Sequence, residues 1–169
     1  MSVLNEHQQQ LVVEETNKQI RRAEVLFNKK FPIIPVQFDL RGHTIGMYKY
    51  SRHGKVIRYN SLIFAKYFDE NCRDTIPHEV AHYIIDMQYG GKNVRPHGVQ
   101  WRSLMDKLGA DASRTANYDL SDIPKRVYST VPYRCGCHAH QLGIRRHNKV
   151  VKRSNRYFCR LCGDILKAV

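Results

Sequence analysis

"TIPHEVAHYIID", residues 75–86, sets two histidines four residues apart with a glutamate directly after the first. On a helix, positions i and i+4 share a face, so His78 and His82 can point ring nitrogens at one ion. Glu79 lies one step round, beside such an ion instead of on it. There a carboxylate can take a proton from a water that the ion acidifies. The flanking residues suit an amphipathic helix, with Val80, Ile84 and Ile85 as packing positions. Proline is tolerated only in a first turn, so Pro77 puts the expected N-cap at Asp74 or Thr75.

A catalytic centre of this kind needs three protein ligands and one open position. His97 is the leading candidate for the third. It follows a turn and opens the next helical stretch, "GVQWRSLMDKL", which could fold back antiparallel and is closed by Gly109. Asp86, one turn further along the motif helix, competes with it. His43 and His53, in β-like sequence, are weaker alternatives.

Upstream, Val12, Thr16, Ile20, Ala23 and Phe27 recur at helical spacing between charges, which predicts one amphipathic helix over about residues 5–30. "FPIIPVQ" ends it, because two prolines in four residues cannot continue a helix. From Val36 to Asn60 the pattern is β-like, and "SRHG" predicts a hairpin within a small antiparallel sheet. "SLIFAKYF" reads as a short helix, and "GADASRTANYDLSDIPK" has the small, polar composition of a linker.

The charge is uneven. The chain carries 28 Lys and Arg against 15 Asp and Glu, a formal net charge of +13. Residues 121–169 alone hold 11 of the basic residues and only two acidic ones. Such a balance favours a polyanionic partner, nucleic acid first. No window approaches 18 apolar residues, and the N-terminus lacks the basic start and apolar run of a signal peptide, so a soluble, cytoplasmic protein without a membrane partner is expected.

Four of the five cysteines lie in the last 35 residues. In a reducing compartment that clustering reads as metal binding. Cys159 and Cys162 form a C-x-x-C-G knuckle, whose turn aims both thiolates at one ion. The other half is irregular: Cys135 and Cys137 are spaced C-x-C, while Cys137 and His140, like Cys135 and His138, are spaced C-x-x-H. The favoured ligand set is Cys135, Cys137, Cys159 and Cys162, with His140 as a substitute. Four protein ligands close the shell, so this zinc would be structural. Cys72 stands apart as a structural thiol. The stretch between the cysteine pairs is basic and β-like.

With "HEVAH", the "HGVQW" segment, the cysteine-bearing tail and the run "HQLGIRRHNKVV" in view, the chain resembles the SprT-like family, which includes the Spartan protease, over nearly its whole length. The resemblance implies an α+β fold: a zincin-like metalloprotease core over residues 1–120, then a basic zinc ribbon over residues 121–169. It implies His78, His82 and His97 as ligands of a catalytic zinc and Glu79 as catalytic base. It also implies protein substrates on DNA, covalent DNA–protein crosslinks in particular, with cleavage stimulated by DNA.

Arg145, Arg146, Lys149, Lys152, Arg153 and Arg156 lie between the ribbon's knuckles. They would neutralise phosphates without reading bases, and nearby Tyr133, Tyr157 and Phe158 could stack on unpaired bases. The expected partner is therefore DNA of any sequence, single strands included. A solvated basic face is the plain alternative. The expected function is a zinc-dependent metalloprotease whose edge strand around Ile45–Tyr48 holds substrate by β-augmentation, with Tyr48 or Tyr83 as oxyanion donors. Its rival is a non-catalytic nucleic-acid-binding protein with two structural zinc sites.

Overall fold

Asn5 opens the first helix, α1 (Glu6–Phe27): its side chain accepts from the Gln8 N–H, and the Gln8 side chain accepts from the Asn5 N–H. This reciprocal capping satisfies donors that a helix start leaves open. Val12, Thr16, Ile20 and Ala23 form the buried stripe, joined by Gln19. Asn28, left-handed with φ 47°, ends the helix ahead of the prolines. The computed structural model describes all residues except Met1, Lys92, Arg114, Thr115 and Arg126. The chain divides into two units, Met1–Lys125 and Arg126–Val169.

In the first unit, β1 (Val36–Gln37), β2 (Gly46–Ser51) and β3 (Gly54–Tyr59) form a sheet in the order β1-β3-β2. Arg52 and His53 make the two-residue turn of the β2–β3 hairpin. The sheet is mixed, not antiparallel throughout, because β1 pairs with β3 in parallel. The reason lies in β3. Its Ile57 and Tyr59 are fully buried, so this most apolar strand takes the centre. The hairpin then turns it in the same direction as β1. β2 is left as a free edge.

Three helical pieces run together next: α3 (Phe68–Glu70), a π-helical turn (Asn71–Thr75) and α4 (Ile76–Tyr89), preceded by α2 (Ser61–Lys66). Thr75 does stand at the expected N-cap position of α4, but the helical run continues through it. Thr75 has right-handed helical angles and makes no capping bond. Pro77 sits inside a longer helical run because the π turn accommodates it. Ile76 N–H reaches back five residues to the Asn71 carbonyl, and this wider turn makes room where an ordinary α turn would press the proline ring on a carbonyl. α4 packs Ile76, Val80, Ala81, Tyr83, Ile84 and Ile85 into one core with α1, β3 and α5 (Val99–Leu108). Gly109, at φ 72°, ends α5. Among the described residues, no helix is long and apolar enough to cross a membrane.

The second unit contains β4 (Thr130–Arg134), β5 (Ala139–Gly143), α6 (Ile144–Val151) and β6 (Lys167–Ala168), with sheet order β5-β4-β6. The basic stretch is thus not β-like throughout: after β5 it becomes a helix. Ile144, His147 and Val151 recur at helical spacing, and the His147 ring meets the Tyr133 hydroxyl at 3.1 Å. Its apolar core among the described residues consists of Tyr133, Leu142, Cys159 and Leu166.

The loop ahead of β2 hangs on one fully buried side chain. Asn60 Nδ2 donates to the carbonyls of Gly42 (2.7 Å) and Thr44 (3.1 Å), and its Oδ1 accepts from Leu62 N–H at the start of α2 (3.1 Å). Replacing it removes a helix cap and strands two carbonyls. Asn60→Ala is expected to destabilise the first unit by about 2–4 kcal/mol, read as a lower urea midpoint at an unchanged slope.

Candidate metal centres

α4 carries the first centre. The apolar face that buries this helix leaves His78 and His82 together on the opposite side, half-buried. His97 reaches them from the turn ahead of α5, where it takes a left-handed conformation with φ 55°. Such backbone costs a residue with a Cβ about 1–2 kcal/mol. The turn is tight: a Cβ on Gly98 would come 2.8 Å from the Arg95 carbonyl oxygen.

The three Nε2 atoms lie 3.0, 3.1 and 3.2 Å from one another. Ligands on a tetrahedral ion with bonds of 2.0–2.1 Å are separated by about 3.3–3.4 Å. The donor set therefore fits zinc with little adjustment. Burial pushes the rings of His78 to about 4 and His82 to about 3, so both are neutral at pH 7. Neutral imidazole is the form that ligates.

The other sequence candidates are engaged elsewhere. Asp86 accepts from the Tyr48 hydroxyl at 2.6 Å, from Gly91 N–H at 2.7 Å and from Lys55. His43 Nε2 faces the Ile123 carbonyl, and His53 sits exposed in the hairpin turn against Arg52. Neither tyrosine turns its hydroxyl to the histidines: Tyr48 is held by Asp86, and Tyr83 donates to the Pro32 carbonyl.

Glu79 is buried next to the cluster, and its Oε2 accepts the Tyr48 N–H at 2.6 Å. Burial pushes its carboxyl up to about 7, against the pull of that N–H. Gly46 makes the approach possible. A Cβ there would lie 2.8 Å from both Cγ and Oε1 of Glu79. Nothing in "TIGMYKY" announces this role, since the glycine reads only as part of a strand. Trp101 is the other missed residue. Its ring centroid lies 4.7–5.6 Å from those of all three histidines, and its Nε1–H donates to the His78 carbonyl. The four-residue step from His97 to Trp101 was the available signal.

The second centre lies in the second unit. Cys135 Sγ is 3.4 Å from Cys137 Sγ, which is 3.7 Å from Cys159 Sγ. Tetrahedral zinc with bonds of 2.3 Å spaces its sulfurs by about 3.8 Å, so these thiols fit. The fourth donor is crowded. His138 joins Cys135, Cys137 and Cys159 in a group whose ligand atoms all lie within 4.8 Å of one another, and the exposed Cys162 thiol lies within hydrogen-bonding reach of the same three thiols. His140 Nε2 is 3.3 Å from Cys135 Sγ. Cys72 lies far off in sequence and half-buried, its thiol pushed up to about 11 by burial. Arg145, Arg146, Lys149, Lys152, Arg153 and Arg156 are all exposed, on α6 and just after it. Arg145 and Arg146 lie over the rings of Tyr128 and Tyr157, each at 5.7 Å.

The SprT-like family model matches residues 13–128. "Protein SprT" of Serratia proteamaculans is 34% identical over 160 residues, covering 94% of this chain and 90% of the relative. "Protein SprT" of Vibrio parahaemolyticus is 36% identical over 144 residues, covering 85% of this chain and 83% of the relative. No solved structure matches. The three-histidine cluster falls inside the matched segment, and the chain belongs to the SprT-like family.

Proposed function

We propose that the chain is a zinc-dependent endopeptidase that acts on DNA-associated proteins, covalent DNA–protein crosslinks among them. The observation that carries this is the convergence of three imidazoles, those of His78 and His82 neutral, beside a buried carboxylate along the edge strand β2. His78, His82 and His97 would hold the ion. Zinc supplies a Lewis acid that polarises a peptide carbonyl and acidifies a water. Glu79 takes the proton of the attacking water and delivers it to the departing amine nitrogen. Tyr48 N–H fixes one oxygen of that carboxylate for the transfer.

The edge strand supplies a way to hold an extended substrate. Ile57 N–H bonds to the Pro35 carbonyl on its far side, so the facing pair Tyr48–Ile57 is not hydrogen-bonded within the hairpin. Backbone groups of Gly46, Tyr48 and Tyr50 therefore point outward from β2; the Tyr48 N–H is taken by Glu79, which leaves the Tyr48 carbonyl and the groups of Gly46 and Tyr50 for a partner. An unfolded segment can add there without a demand on its sequence. In the second unit a zinc would hold together a domain with little apolar core. The exposed basic residues around α6 would contact phosphates.

With an unfolded DNA-binding protein as substrate, Glu79→Gln should lower cleavage by about 10²–10⁴-fold while retaining the metal of the wild type. Single-stranded DNA should raise wild-type cleavage. Equal activity of the two proteins would reject Glu79 as base. Cleavage by neither, with zinc bound, would favour a nucleic-acid-binding role. Replacing Arg145, Arg146 and Lys149 by alanine should flatten the plot of log affinity for single-stranded DNA against log salt by about two units, roughly 0.7 per lost phosphate contact. An unchanged slope would remove α6 from the interface.

A further inference from the structure

Two grooves adjoin the three-histidine cluster along β2. One, of about 670 Å³, holds Ile45 and Gly46 at the start of the strand together with His78 and Glu79. The other, of about 710 Å³, holds Tyr48 and Tyr50 further along together with His82, His97 and Trp101. The histidines therefore stand between two stretches of one continuous strand edge.

The second groove has a distinct chemistry. Tyr50, Ile85, Val94, Pro96 and Trp101 supply apolar wall. The one carboxylate in it is already spoken for. Asp86 accepts from Lys55, the Tyr48 hydroxyl and Gly91 N–H, which fills three of about four acceptor positions of a carboxylate. Lys55 in turn lies 4.5 Å above the Tyr50 ring. The ion pair is thus neutralised against the wall and offers little to a polar guest, while the groove's other polar side chains, Asn93 and Arg95, are exposed at its rim. An apolar side chain can leave water there without stranding a charge.

The direction of β2 fixes which side of the bond this serves. A segment adding antiparallel, the stronger of the two pairings, passes Tyr50 first and Gly46 last. We infer that the Tyr48–Tyr50 groove selects a large apolar residue on the amino-terminal side of the cleaved bond. Tyr50 and Val94 are its specificity-determining walls. This rests on the peptidase reading above and adds to it a substrate preference.

Trp101 is the only tryptophan, so its fluorescence reports occupation of the groove without any turnover. Zinc-loaded Glu79→Gln protein should bind a blocked alanine hexapeptide carrying one phenylalanine about tenfold more tightly than one carrying aspartate, a difference of about 1.4 kcal/mol. Tyr50 is 68% exposed, so Tyr50→Ala leaves the fold intact and should bring the two affinities together. Val94→Glu should do the same from the opposite wall. Equal affinities in the parent variant would overturn the inference.

Mapping the bonds that wild type cuts in an unfolded protein tests the side. Enrichment of Phe, Tyr, Leu or Met just before the cut supports it, and enrichment only after the cut overturns the direction. Selective binding without any cutting would sink the peptidase reading yet support the groove's preference. Cutting without preference would do the reverse.

Discussion

Three ring nitrogens within 3.0–3.2 Å of one another do not rest together by themselves. If each ring carries its proton on Nδ1, three lone pairs meet; with one Nε2–H among them two lone pairs still face each other; if the rings are protonated, three cations meet. None of these is favourable in a half-buried site. A divalent cation turns the same geometry from repulsive to binding. The surrounding structure is arranged around that convergence. Trp101 backs all three rings, and His97 holds a left-handed backbone to reach its neighbours. Strain of that size persists only where the surroundings enforce it.

The same constraint ties the sheet to α4. Glu79 reaches the edge strand only because residue 46 has no side chain, and it takes the Tyr48 N–H, which lies between the outward groups of Gly46 and Tyr50. Under the proposed function, Glu79 and an added peptide segment would both lean on this one strand. A shift of β2 by a single residue would turn Tyr48 over and part both from the histidines. Asn60, by pinning the loop that leads into β2, stabilises this register from the other end.

Much of this was legible in the sequence where chemistry depends on local spacing. His78 and His82 follow from the helical repeat, and α1, the hairpin turn and the end of α5 at Gly109 follow from stripes and turn residues. The third histidine stayed open among His97, Asp86, His43 and His53, because a contact across 15 residues depends on how one turn folds back. Pro77 misled for a related reason: it marks a helix start only when the helix before it is a plain α turn, and a π turn removes that clash. The second unit's basic stretch hid a helix because β-branched Ile144, Val150 and Val151 also suit a strand, and eight residues show little more than two helical turns. The fourth donor of the second centre was also open. His138 and His140 stand beside the same thiols as Cys162, and spacing along the chain cannot show that the β4–β5 turn brings both imidazoles there.

Whether the convergence at His78, His82 and His97 holds a metal is read from zinc content, measured by mass spectrometry on the full chain and on a His97→Ala variant after removal of loosely held metal. Two ions per chain in the wild type and one in the variant is the predicted result. A variant that keeps the wild-type zinc content would contradict the account, because the third imidazole would then hold nothing.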